Sequence, residues 1–285
     1  MTRLLITFTI TILTATLACS QNLEPLELAK KIFSKEPFND INKYITGEYK
    51  DNNKGRPNGH DLPSASNLTF SLLEQTTNKA VVNMTVQDTT GKGVDTYLFF
   101  EKDEVWKMNA FRALALTGMI EQVRDELEKV TPEQVDSLIN KSKNEKNKDL
   151  AIFSSREDFN FQLGNAKLTL ELDTNIINHF LENKSEFERI KDTALKELES
   201  KKQNDEQRIE LVQNLKPDYQ KLFISSVYYN DDGLENCIDF LIGGITDNSV
   251  GYIYVKDKKD LPQMSADKII MIREIGDGWY IYKTT

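Results

Sequence analysis

The chain has 285 residues with 36 Lys and Arg against 45 Asp and Glu, a formal net charge of −9 that excludes a surface built to neutralise nucleic-acid phosphates. At 39% hydrophobic and 28% charged residues it can bury a core, and its length predicts two domains of roughly 100–200 residues each. Two His and two Cys exclude a four-cysteine or Cys/His zinc site unless all four converge, so no metal or cofactor is expected.

Met1-Thr2-Arg3 is followed by a charge-free run, Leu4–Ala18, of 15 residues. A positive start, an apolar stretch and small residues at its end predict a secretory signal peptide over residues 1–18. The run falls short of the roughly 20 residues that a membrane-spanning helix takes. Ile6-Thr7-Phe8-Thr9-Ile10-Thr11-Ile12 alternates, so an N-terminal β-strand is the competing reading. Ala15-Thr16-Leu17-Ala18-Cys19-Ser20 resembles the lipobox of bacterial lipoproteins, departing from it at Thr16, where that family prefers Leu. The resemblance implies cleavage between Ala18 and Cys19, acylation of Cys19 (palmitate among the chains) and membrane lipid as a partner. Two or three chains, at about 0.8 kcal/mol per buried methylene, anchor far more firmly than one. Ser20 resembles the residue that sorts such proteins to the outer membrane, with the periplasmic face expected rather than the cell surface. With Cys19 lipidated, Cys237 has no disulfide partner, and its apolar surroundings predict a buried hydrophobe; a Cys19–Cys237 bridge after uncleaved export is the alternative.

After a tether at 19–24, the first domain is expected over 25–140. Leu26, Ala29, Ile32 and Phe33 make an amphipathic stripe, Pro37 interrupts it, and Phe38, Ile41, Tyr44 and Ile45 continue it. Residues 46–66 are rich in Gly and Pro and predict a long loop. Alternation at Leu68, Phe70 and Leu72, then at Val82, Met84 and Val86, predicts strands. Gly91 and Gly93 supply a turn into Val94–Phe100, and Lys102-Asp103-Glu104 one into Val105–Phe111. Short turns make these strands antiparallel.

Leu28–Ile45 followed by Ala80–Ala113, with a charged turn before Trp106-Lys107, resembles the NTF2-like (cystatin-like) α+β domains of bacterial envelope lipoproteins. The resemblance covers roughly residues 25–113 and implies helices on a curved antiparallel sheet enclosing a cone-shaped pocket. Tyr44, Asp95 or Tyr97 would project into such a cone. Trp106 is read as a core residue sealing the last strand.

Met119, Ile120, Val123 and Leu127 predict a helix, and Thr131-Pro132-Glu133-Gln134 starts another with a capping box. Residues 141–149, four Lys and two acids with no apolar side chain, are the expected linker. The second domain is expected over 150–285, and its residues carry no resemblance to a named family. It is expected to begin with strand-like alternation at Phe159–Leu163 and Leu168–Leu172. A long helical region broken near Asn183-Lys184-Ser185 and ending at Ile209, Val212 and Leu215 follows. A five-stranded antiparallel meander then runs through Leu222–Tyr229, Cys237–Ile242, Val250–Val255, Ile269–Ile275 and Trp279–Lys283. Ile269–Ile272, apolar on both faces, predicts a central strand. The fold class is α+β throughout.

The search for chemistry is sparse. Asp51–Pro57 lacks the Gly and Glu of a calcium loop, and Gly91-Lys92-Gly93 leads into no helix, so it is not a phosphate loop. His60-Asp61 has the types of a base and its orienting partner, His179 is expected to pack at a helix–sheet junction, and Asp231, Asp232 and Glu235 form an acidic turn. No catalytic residue is assigned. The expectation is an envelope lipoprotein that binds a small molecule or a protein. An enzyme using the cone, a hydrolase or isomerase, and an assembly or immunity-type protein are the alternatives.

Overall fold

The computed structural model describes residues 23–52, 56–144, 152–200 and 208–285. The signal segment with Ala18 and Cys19, the middle of the Asp51–Pro57 loop, and most of the lysine-rich joint lie outside the described residues. Among those described, the chain is α+β, with eight α-helices and two antiparallel sheets of four and six strands.

Helix α1 (Pro25–Ile32) starts on a proline, carries Glu27 in its first turn and Lys30 and Lys31 in its last, and so suits the helix dipole at both ends. The expected long loop contains a short helix, α2 (Gly47–Asp51), held by burial of Tyr49, whose hydroxyl donates to the carbonyl of Pro57. Strands β1 (Asn67–Gln75), β2 (Lys79–Gln87), β3 (Gly93–Lys102) and β4 (Trp106–Arg112) pair in chain order. Residue alternation divides β2 and β3 between two cores. Val82, Met84, Leu98 and Phe100 face α1, whereas Val81, Tyr97 and Phe99 join the core of the second unit. The first sheet is thus covered on both faces, and Trp106 is buried on the α1 side.

Helices α3 (Thr117–Glu128) and α4 (Pro132–Asn144) follow. The capping box forms: Thr131 N donates to Gln134 Oε1 at 2.8 Å, and Gln134 N to Thr131 Oγ1 at 3.3 Å. Lys141–Asn144, expected in the linker, are the last turn of α4, where lysines favour the carbonyl end of the dipole. The strands expected between 150 and 172 are instead one helix, α5 (Arg156–Thr169). Its alternation is coincidental. Phe159 and Leu163, four apart, meet Leu127, Val135 and Ile139, while Phe161 lies on another face. Ser155 caps it, accepting from Asp158 N at 3.2 Å. Helix α6 (Asp173–Glu182) and helix α7 (Lys184–Ser200) meet at Asn183, where the sequence predicts the break.

Ile209 and Val212 do not close the helical region. Ile209–Glu210 is strand β5, and Val212 adopts φ 46°. After α8 (Lys216–Lys221) come β6 (Ser226–Asp231), β7 (Leu234–Ile245), β8 (Asn248–Tyr254), β9 (Ile269–Gly276) and β10 (Trp279–Thr284). The sheet order β5-β6-β7-β8-β10-β9 corrects the five-stranded meander: there are six strands, and β10 inserts between β8 and β9. Ile269–Ile272 therefore lies on the edge strand rather than a central one. Its apolar run is explained by burial on both faces, Ile270 and Met271 in one cluster, Ile269 and Ile272 in another.

Candidate functional site

Among the described residues, two places gather features that a functional site needs: a sealed cluster of charged groups between the sheets, and an open apolar groove beside α3.

The cluster starts from the strand period. On β10, Trp279 and Ile281 face the shared core, so Lys283 points inward as well and is only 4% exposed. Its Nζ lies 2.9 Å from Asp173 Oδ1, at the first residue of α6. Tyr97 Oη donates to the same oxygen at 2.9 Å, and Arg273 Nη1 lies 4.0 Å from Asp173 Oδ2. Asp95 on β3 accepts the Asp173 backbone N–H at 2.7 Å, which sets a carboxylate at the N-terminus of α6. Its other oxygen accepts from Asn83 Nδ2 at 3.2 Å and from the Thr85 hydroxyl. Burial is the largest influence on Asp173 and raises its pKa; the Lys283 ammonium opposes this and the Asp95 charge adds to it. Tyr97 is pushed well above the ordinary phenol value, by burial first and then by Asp173 and Asp95. These are acid–base types, yet they bond to one another. The adjoining crevice measures about 70 Å³, room for little more than a water or two. Two acids and two cations joined across four elements, β3, α6, β9 and β10, make a clamp between the sheets. Removing one partner of such a buried pair costs about 3–5 kcal/mol.

Asp95 and Tyr97, expected in a cone, are therefore brought together, but on the sheet face turned to the second unit. Tyr44 is on the other face, under α1, stacked on Phe38 with ring centroids 5.4 Å apart. Leu28, Ala29, Val82, Leu98 and Met108 have no exposed surface, so that face is filled by side chains. His60 and Asp61 make a turn around Asn58, with His60 N donating to Asn58 Oδ1 at 2.9 Å and Asp61 Oδ2 accepting from Asn58 Nδ2 at 2.7 Å. His179 is half-buried on α6, its Nε2 3.1 Å from the Leu222 carbonyl and its ring stacked on Phe223; burial lowers its pKa. Asp231 pairs with Arg208 at 2.8 Å and Asp232 with Lys268 at 3.0 Å, so the acidic turn is spent on internal cations. Cys237 is buried, and burial pushes its thiol up to about 12, far from thiolate chemistry. Among the described residues, no group of three His, Cys, Asp or Glu converges to hold a metal ion, and no helix is long and apolar enough to cross a membrane.

The groove lies between α3, α5 and the end of β7. The stripe Met119, Ile120, Val123 and Leu127 forms one helix face, but only Leu127 is buried, against Val135, Ile139 and Phe153. Met119 is 58% and Val123 50% exposed. With Phe161 and Ile245 they line a space of about 580 Å³, whose polar rim includes Gln122, Glu126, Gln162 and Asn165. Asn165 Nδ2 donates to the Phe223 carbonyl at 2.8 Å and fixes the floor. Gly243 lies against α5, where a Cβ would come 2.8 Å from Thr169 Oγ1, so the strand approaches the helix closely.

No family model, curated protein or solved structure matches this chain.

The sequence reading missed both features. A charge on the apolar side of a strand, Lys283 in register with Trp279 and Ile281, was the signal for the clamp. The open face of α3 had no such signal, because Glu121 and Asp125 lie on the side of the helix away from the stripe, as in any amphipathic helix.

Proposed function

We propose that the protein is a lipid-anchored lipoprotein of the cell envelope that works by binding a partner, with Cys19 as the acylated residue and the groove beside α3 as its contact surface. The observation that carries the binding half is the apolar face of α3, where Met119 and Val123 lie exposed four residues apart over the space lined by Phe161 and Ile245. The anchoring half rests on the sequence: a charge-free run ending in Ala18-Cys19, six residues before the proline that opens α1. Ser20, in the position that sorts such proteins, supports the outer membrane, with the periplasmic face as the expected side. In this reading the first unit is an NTF2-like module; helices on one face of a four-stranded antiparallel sheet support that, and the space where a cone would open is filled with core side chains.

A hydrolase or isomerase reading would draw on Asp95 and Tyr97, whose partners are already inside the clamp. Binding is therefore the better account. Metabolic labelling with palmitate tests the anchor. The wild-type chain takes up label and the Cys19→Ala variant takes up none; label retained by the variant contradicts the proposal.

A further inference from the structure

The two sheets present four edge strands, β1 and β4 of the first, β5 and β9 of the second. An edge offers a row of unpaired N–H and C=O groups to any extended chain, so folded proteins cover, shorten or charge it. Three of these four edges are treated in that way. On β4, Met108 N donates to the Tyr44 carbonyl and the Met108 carbonyl accepts from Thr46 N, each at 2.9 Å. Strand β5 has only two residues, and β9 carries Arg273 and Glu274, the latter 3.1 Å from Lys258. Strand β1 differs. It runs nine residues without Lys, Arg or Pro, and Glu74 is its only charge. Residues 67–72 pair with β2 without a break, the bulge falling after Leu72. Among the described residues, no hydrogen bond reaches the backbone of β1 from outside β2. Leu72 stands 43% exposed on this open edge.

We propose that β1 pairs with β1 of a second copy of this chain, antiparallel about a two-fold axis at Phe70, so that the two four-stranded sheets become one continuous sheet. The strand's own sequence selects a copy over a foreign segment. About Phe70 it is nearly symmetric: Leu68 falls opposite Leu72, Thr69 opposite Ser71, and Phe70 opposite its equivalent. A two-fold axis perpendicular to the sheet keeps each side chain on its own face. Leu68, Phe70 and Leu72 then meet their counterparts on the α1 side, and Thr69 and Ser71 theirs on the side of the second unit, pairs that stabilise neighbouring strands. Like charges set directly opposite would oppose this, but Glu74 falls opposite Ser66, beyond the paired stretch, so a body of net −9 brings no two charges together here. The axis at Phe70 also covers the exposed Leu72 with Leu68 of the copy, whereas an axis at Thr69 sets Leu72 against Ser66. The stretch Leu68–Leu72 is about 17 Å long at about 3.4 Å per residue. The contact is small, so the dimer builds up with concentration and comes apart on dilution. It uses neither the α3 groove nor Cys19, so either of those readings can fail without it.

Sedimentation equilibrium of the full chain, in detergent matched to the solvent density, reads this association across a wide range of protein concentration. The wild type passes from single to doubled mass as concentration rises. Leu72→Lys sets an ammonium against Leu68 of the copy and weakens association about tenfold or more. Adding Leu68→Glu to Leu72→Lys places each glutamate opposite a lysine of the other copy, and association returns towards that of the wild type. That rescue belongs to the Phe70 register alone. Leu72 is exposed and Leu68 lies outside the buried clusters, so both variants keep the fold, checked by circular dichroism. A single mass at every concentration overturns the proposal, and so does a doubled mass that Leu72→Lys leaves unchanged. A double variant as weak as Leu72→Lys overturns it too, as does a wild type that stays monomeric while taking up an extended foreign peptide along β1.

Discussion

Burial treats the two acids Asp173 of α6 and Asp239 of β7 in different ways. Asp173 has the Lys283 ammonium at 2.9 Å, whereas Asp239 on β7 has only the Tyr282 hydroxyl, which donates to its Oδ1 at 2.8 Å. Its other oxygen has no hydrogen-bond partner. Burial holds the Asp239 carboxyl well above the ordinary carboxylate range, with the Tyr282 bond opposing it. A raised folded-state value fixes the sign of the pH dependence. Below the unfolded value of about 4 both states hold the proton; above it the unfolded chain releases the proton while the folded chain keeps it, and stability falls as pH rises. Asp239→Asn removes that dependence and leaves the Tyr282 bond an acceptor. In urea unfolding at a series of pH values, the variant gains on the wild type between about pH 5 and pH 8. A wild type that gains on the variant over that range contradicts the assignment. Asp173 is common to both proteins and cancels. None of this was legible in the sequence, where Cys237-Ile238-Asp239-Phe240 reads only as an apolar strand with one interruption.

Among the elements, α5 explains best why part of the fold was hidden. Phe159, Phe161 and Leu163 alternate as a strand would, and Gly164 looks like a helix breaker. The structure gives that glycine a packing role. A Cβ there would come 2.1 Å from the Phe223 ring, which is stacked on His179 with centroids 5.5 Å apart. Gly164→Ala gains about 1 kcal/mol of helix propensity but must displace a ring wedged between two helices, at a cost of about 1–3 kcal/mol. The net effect is a lower urea midpoint, with the slope unchanged; a midpoint equal to or above that of the wild type refutes the wedge. Other elements were plain from local chemistry: the turn at Gly91, the Thr131–Gln134 box, and the break at Asn183 all follow from residues close in sequence. The β10 insertion was not, because order within a sheet depends on pairings between distant strands that alternation does not specify.

For the molecule as a whole, the sequence divides at the lysine-rich stretch, yet the packing joins the halves. Val81, Tyr97, Phe99 and Ala110 of the first sheet share a core with Phe180, Phe187 and Trp279, and the clamp of Asp95, Asp173, Lys283 and Arg273 crosses the same boundary. The second unit closes one face of the first sheet and α1 the other, so a small-molecule cone has no space there, whereas Met119 and Val123 on α3 stay exposed. In the proposed reading this acidic body, net −9, is held at the membrane by an acylated Cys19. Mass spectrometry of the protein isolated from its native membrane measures that directly. The account predicts an amino-terminal peptide that begins at Cys19 and carries a diacylglyceryl thioether. A polypeptide that begins at Met1 with an unmodified Cys19 would contradict it.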